Sequence, residues 1–227
     1  HYLEQSGRQD SDRAAWPRYK LAGIPSERAT FAHFIHTSEE ILSEAAQAGS
    51  GMIWNPLSNG RLGSGLADIP KYIEAGMRVG MGVDGQASAD ISDPFENMRM
   101  GRYGTRMREE NSDSLQPIDM LRLHTIDTAK ALGVESFVGS LEVGKFADFI
   151  VIDPSEPTTG PIWDLAAHLV FSCGSENIES IYVGGERMVE KGRPLTFDLG
   201  ALSDEVSERI AALRERHLAK ASKEAED

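Results

Sequence analysis

Asp84 follows the apolar run Met77-Arg-Val-Gly-Met-Gly-Val83 and stands in Gly82-Val83-Asp84-Gly85. A carboxylate there can reach a metal ion or a water, and the neighbouring glycines leave room for a ligand to approach the backbone. An Asp that caps the next loop is the competing reading. His33 ends a second apolar run, Arg28-Ala-Thr-Phe-Ala-His33, where an imidazole can work on a proton or be a hydrogen-bonded core group. His36 stands where a helix begins and reads as a loop or cap residue. His1 and Glu4 form His-x-x-Glu, a weak signal alone. Taken together, two imidazoles, a Glu and an Asp at successive strand ends point to a metal-dependent hydrolase, in which a carboxylate takes a proton from an activated water.

Such groups need elements that bring them to one edge. After a polar, Arg-rich opening (residues 5–20), residues 28–36 read as a strand, and 38–48 as a helix with Ile41, Leu42, Ala45 and Ala46 on one face. Gly51-Met-Ile-Trp54 is the next strand, Asn59 to Gly65 a Gly-rich turn, 68–75 a helix and 77–83 a third strand. That alternation is the signature of parallel βαβ units, whose chemistry sits beyond the strands' C-terminal ends. Residues 94–108 and 117–132 read as two helices. From 146 the period changes: 146–152, 178–183 and 187–189 read as strands, with a hairpin at Gly184-Gly185. Residues 202–223 form a charged amphipathic helix with Val206, Ile210, Leu213 and Leu218 on one face.

Composition narrows the classes. The chain has 227 residues, 23 Lys+Arg against 36 Asp+Glu, and a formal net charge of −13. That balance opposes nucleic acid as a partner, because phosphate binding needs clustered cations. With 40% hydrophobic residues and 22 glycines the sequence is that of a globular protein. No apolar run approaches the ~20 residues of a membrane helix, so no membrane partner is expected. Cys173 is the only cysteine, which excludes a disulfide framework and favours a reducing, cytoplasmic setting.

Four blocks carry a family resemblance: Ala32-His33-Phe-Ile-His36; Trp54-Asn55-Pro-Leu-Ser-Asn59-Gly-Arg61-Leu-Gly-Ser64-Gly65; Gly82-Val-Asp84-Gly85; and Gly139-Ser-Leu-Glu-Val-Gly144-Lys-Phe-Ala-Asp148-Phe-Ile-Val-Ile-Asp153. Together they resemble the C-terminal half of an amidohydrolase-superfamily enzyme, in the branch of triazine hydrolases, guanine deaminase and adenosylhomocysteine-type deaminases. The resemblance runs from His1 to about Pro194. It implies an α/β fold, the C-terminal half of a (β/α)8 TIM-type barrel, with part of a small β-sandwich and one divalent metal in the barrel mouth. It implies His1 as a metal ligand, Glu4 as the proton-shuttling acid and His33 as the histidine that contacts the water or substrate. Asp84 is implied as both metal ligand and proton acceptor, and Asn59, Arg61 and Ser64 as lining the substrate pocket. Two departures stand out. The family's first-strand His-x-His pair lies outside this sequence, and Trp54-Asn55-Pro56 stands where the branch reads His-x-Pro. Trp54, with Asn55, would offer the substrate a flat apolar wall and one N–H donor, similar to the phenylurea and thiocarbamate hydrolases; packing in the core is the equal alternative.

Other residues read as structural: Cys173 as buried, Gly184-Gly185 as a turn without phosphate-loop features, and His124 and His168 as packing. The expected organisation is a barrel half over 1–136, a β-sandwich segment over 137–198, and a helix with a polar tail over 199–227. The expected function is hydrolysis of amide, urea or carbamate C–N bonds by a metal-activated water; deamination of a purine or triazine-like heterocycle is the alternative. Zinc is the first choice of metal, with iron, manganese and cobalt also suited to His plus carboxylate ligands. The expected partners are a small-molecule substrate and, through the last helix, further copies of the chain. Because it opens at His1, the chain is expected to be a fragment, inactive without the missing ligands.

Overall fold

The computed structural model describes residues 2–155 and 159–224, with side chains through 218; His1 lies outside them. Strands β1 (Thr30–Ala32), β2 (Gly51–Trp54) and β3 (Arg78–Met81) form a parallel sheet in the order β1-β2-β3. Thr30 lies beside Gly51, and Gly51 beside Arg78, so the three C-terminal ends emerge along one edge. Tyr2 makes an isolated parallel bridge to His33, and Leu3 C=O accepts from the Ile35 and His36 amides at 3.0 and 2.9 Å. The segment carrying Glu4 is thereby laid against the end of β1.

Helices α1 (Gln9–Leu21), α2 (Glu39–Gln47), α3 (Pro56–Leu62), α4 (Ile69–Glu74) and the short α5 (Gln86–Ala89) are followed by α6 (Pro94–Glu109), α7 (Pro117–His124) and α8 (Ile126–Leu132). Caps start three of them: Ser38 accepts from the Ile41 amide, Asp68 from Lys71, and Asp93 from Phe95 and Glu96. Period-2 alternation turns Met52 and Trp54, both fully buried, onto one face of β2. Trp54 meets α6 there: a Cβ on Gly101 would lie 2.8 Å from its ring, with Met120 of α7 close by. A second packing centre is aromatic. Phe31 stacks on Phe34 at 4.7 Å between centroids, and Trp16 of α1 covers both at 5.9 and 6.3 Å.

The opposite, N-terminal edge is closed by α8. Arg78 donates to the carbonyls of Glu27, Gly49 and Lys130, and Thr30 Oγ1 donates to Ala131 C=O at 3.0 Å. Gly51 and Gly80 let α8 approach; a Cβ at either would stand 2.6 Å from Ala131 O or Thr128 Cα. Farther along, β4 (Phe149–Ile152), β5 (Ile178–Val183), β6 (Glu186–Glu190) and β7 (Arg193–Pro194) make an antiparallel sheet in that order. Gly184 and Gly185, at φ 58° and 86°, supply its tight turn. Helix α10 (Leu199–Glu224) leaves Leu202, Val206, Ile210 and Leu213 exposed. Among the described residues no helix is long and apolar enough to cross a membrane.

Several sequence expectations change. The strand expected over 28–36 stops at Ala32, because His33 and Phe34 take left-handed backbone at φ 68° and 47°. Most of the Gly-rich turn is helix α3: Pro56 starts it, Gly63 at φ 65° ends it, and Gly60 gives space to Met100. The helix expected over 117–132 breaks at Thr125, whose hydroxyl donates back to Leu121 C=O at 2.7 Å. The polar opening contains α1, and the expected β segment contains a helix, α9 (Leu165–Phe171), packed on α6 and α7. Trp54 is a fully buried residue packed against Gly101, as the core alternative expects.

Candidate active site

Three elements bring Glu4, His33 and Asp84 together. His33 Nε2 lies 3.5 Å from Asp84 Oδ2 and 3.9 Å from Glu4 Oε2. His33 is fully buried, and the side chains of Glu4 and Asp84 are 14% and 12% exposed, so the acids face a site that is mostly closed yet reachable. Both His33 and Asp84 hold left-handed backbone, φ 68° and 60°. For non-glycine residues this costs about 1–3 kcal/mol each and persists only where surrounding contacts enforce it, which is a feature of functional sites.

Those contacts come from the first turn of α3. Ser58 Oγ donates to Asp84 Oδ2 at 2.7 Å, and Asn59 Oδ1 lies 2.7 Å from His33 Nδ1. Both residues are buried. An oxygen at Nδ1 selects the tautomer that donates from Nδ1 and directs the Nε2 side of the ring to the two acids. The Gly85 amide donates to Asp84 Oδ1 at 2.7 Å. Burial works to raise the Asp84 pKa, but the Ser58 and Gly85 hydrogen bonds and the nearby imidazole outweigh it and hold the carboxyl below its ordinary range. Asp84 is therefore ionised at neutral pH, poised as an acceptor.

The other sequence candidates distribute differently. Asn59 supports His33 through Oδ1 and also lines an open cavity with Pro56, Leu66, Met100 and Met107. Ser64 Oγ reaches Glu4 Oε1 at 3.5 Å, and its carbonyl is held by His36 Nε2 at 2.7 Å, which fixes the loop after α3. Asn55 turns back on its own strand, with Nδ2 3.4 Å from Ile53 C=O. Arg61 is exposed and pairs with Asp90 on the rim, away from the three-residue cluster. Ser58 was not a candidate in the sequence reading; the available signal was its place in the first turn of an element that follows a strand end.

The donor set suits a divalent ion in kind: a hard carboxylate oxygen from Asp84, beside an imidazole and a second carboxylate. Among the described residues no group of three or more His, Cys, Asp or Glu side chains is arranged to hold a metal by itself. His1 lies outside those residues.

Known proteins resemble this chain. A 5-methylthioadenosine/S-adenosylhomocysteine deaminase of Desulforudis audaxviator (strain MP104C) is 35% identical over 167 residues, 74% of this chain and 39% of its own length. An enzyme of the same name from Bacillus cereus (strain G9842) is 34% identical over 177 residues, covering 78% and 40%. The chain thus spans less than half the length of these curated relatives. Atrazine chlorohydrolase from Arthrobacter aurescens TC1, complexed with zinc, superposes with a TM-score of 0.83 at 28% identity, over 92% of this chain and 47% of that one. An adenosine deaminase from Xanthomonas campestris with bound zinc shares the fold, with a TM-score of 0.89 at 24% identity over 95% and 50%. The model of the amidohydrolase family matches residues 3–188, which take in Glu4, His33, Asp84 and the α3 residues that hold them: the chain belongs to the amidohydrolase family.

Proposed function

We propose that this chain supplies the proton-handling side of a metal-dependent aminohydrolase that replaces the amino group of a purine-like heterocycle by water. The observation that carries the reading is the convergence of Glu4 and Asp84 on His33, two acids and an imidazole within 3.9 Å. The parallel sheet and the Tyr2 bridge are read as an arc of a (β/α)8 barrel, with the cluster in its mouth. Asp84 and His1 would be the chain's own ligands to the ion, zinc first among the choices. A divalent ion there supplies Lewis acidity, which brings the pKa of a water toward ~7.

This chain's residues do the rest. Asp84, held ionised by Ser58 and Gly85, takes the proton of the attacking water. His33, its Nδ1 anchored on Asn59, presents Nε2 to the reacting region and orients water or substrate. The proton that Asp84 takes passes on, through Glu4, to the departing nitrogen, so that ammonia leaves and a carbonyl remains on the ring. The relatives' names, deaminases of 5-methylthioadenosine and S-adenosylhomocysteine, support a heterocyclic amine as substrate. Hydrolysis of amides, ureas or carbamates drew its main support from Trp54, and that side chain is buried in the core. The test is ammonia release by the intact, metal-loaded protein from 5-methylthioadenosine and related aminopurines, beside aryl ureas and carbamates. Turnover of ureas or carbamates alone would replace the proposed substrate class. Asp84→Ala should abolish turnover; activity retained at equal metal content refutes the assignment.

A further inference from the structure

Asn97, the fourth residue of α6, is fully buried, and its hydrogen bonds go to Leu57, Gly82 and His124 rather than to Glu4, His33 or Asp84. Its amide nonetheless bridges both backbone segments that carry the site. Oδ1 accepts from the Leu57 amide at 3.2 Å, and Nδ2 donates to the Gly82 carbonyl at 3.0 Å. Leu57 immediately precedes Ser58 and Asn59, and Gly82 stands two residues before Asp84. The Leu57 N–H is one of the first-turn donors that a helix leaves without an internal partner. The residue at the N-cap of α3, Asn55, offers it no side-chain acceptor. The second Nδ2 hydrogen is directed at His124 Nε2, 3.0 Å away in α7. Burial lowers the His124 pKa to about 4, so this ring is neutral and can accept.

We propose that Asn97 is a positioning residue for the reaction: one carboxamide sets the distance between the α3 turn and the end of β3, and so the fit of Ser58 on Asp84 and of Asn59 on His33. The inference rests on the reading of Asp84 and His33 as reacting groups. An amide is the group that this place demands, because it must accept on one side and donate twice on the other. A carboxylate of the same shape keeps the Leu57 contact but sets an oxygen against the Gly82 carbonyl, and it draws a proton onto His124. A leucine of similar volume serves none of the three partners.

The test compares wild type with Asn97→Asp and Asn97→Leu in the intact, metal-loaded protein, with rates expressed per folded, metal-containing site. Misplacement of reacting groups by a fraction of an ångström predicts a loss of about tenfold or more in kcat with KM within about twofold. A readout without turnover accompanies it: histidine ring 15N shifts should place the proton of wild-type His33 on Nδ1, and Asn97→Asp should disturb the His33 signal and protonate His124. Should neither variant fold, amide exchange in wild type still decides, since Leu57 N–H must exchange as slowly as the amides within β2. Wild-type kcat and His33 shifts in a folded variant, or fast exchange at Leu57, would overturn the proposal. If instead the wild type turns over no heterocyclic amine while the shifts and exchange behave as expected, the substrate reading fails and the positioning role stands.

Discussion

Gly82 offers a direct test of how tightly the end of β3 is held. A methyl group at this position would stand 2.7 Å from Asn55 Oδ1 and 2.9 Å from Ile53 Cγ2. Ordinary contact begins near 3.4 Å, so Gly82→Ala must open gaps of 3.4 − 2.7 = 0.7 Å and 3.4 − 2.9 = 0.5 Å. Asn55 Oδ1 is a side-chain tip that can turn aside, but Ile53 Cγ2 sits on a β-branched side chain within β2 and cannot yield freely. The strand end therefore moves and carries Asp84 with it, two residues on. Overpacking of this kind costs about 1–3 kcal/mol, equivalent to a fall in Tm of roughly 2–12 °C for a chain of this size. A shift near half an ångström at the carboxylate lowers kcat by about tenfold, scaling from ~100-fold for 1 Å. Calorimetry and steady-state kinetics on the intact protein measure both, with Gly7→Ala as control, because a Cβ at Gly7 meets nothing within 4 Å. Wild-type Tm and kcat in Gly82→Ala would refute the claim that β3 and β2 are locked together here.

Asn59→Leu removes the acceptor at His33 Nδ1; an unsatisfied buried donor costs about 1–3 kcal/mol, read by chemical denaturation, and the ring 15N shifts should show loss of the single Nδ1–H tautomer. His124 binds a proton at about 4 in the folded chain against an ordinary 6.5, so the unfolded chain takes up more protons between those values. Stability is fully present above pH 6.5 and falls by roughly 3 kcal/mol as pH drops toward 4; His124→Gln should flatten that part of the urea-denaturation profile, and an unchanged slope would count against a buried neutral ring. Trp54→Phe should lower Tm with KM unchanged, since the indole packs on Gly101 and Met120; a rise in KM at constant kcat would return Trp54 to the substrate pocket.

Much of the site was legible because its key residues interrupt patterns. His33 and Asp84 each follow an apolar run, and a polar residue at such a boundary is visible in sequence alone. Trp54 shows where that logic stops. Both faces of a parallel sheet are covered, so β2 is apolar throughout and its sequence does not show which face residue 54 occupies. The parity of a four-residue strand settles it, and parity follows from where pairing begins, at Gly51. Helix α1 escaped notice for a different reason: its buried residue is Trp16 alone, too little for a stripe. The break at Thr125 depends on one hydroxyl bonding back along the chain, which residue type permits without requiring. Ser58 and Asn97 were invisible because their partners lie 15 to 40 residues away.

The two edges of the parallel sheet divide the physical work. At the N-terminal edge, Arg78 gathers three carbonyls and the missing Cβ atoms of Gly51 and Gly80 admit α8 at close range. These contacts lie at the opposite ends of the strands from His33 and Asp84. At the C-terminal edge the backbone turns left-handed at His33 and again at Asp84, conformations that the isolated chain would avoid. Left to relax, either residue would swing its side chain away from the other. They do not relax because each is gripped from α3, Ser58 on one and Asn59 on the next, and because Asn97 ties the start of α3 to the end of β3. The left-handed backbone at His33 and Asp84 is thus held by side chains of α3, and the amide of Asn97 is where the α6 layer ties the start of α3 to the end of β3.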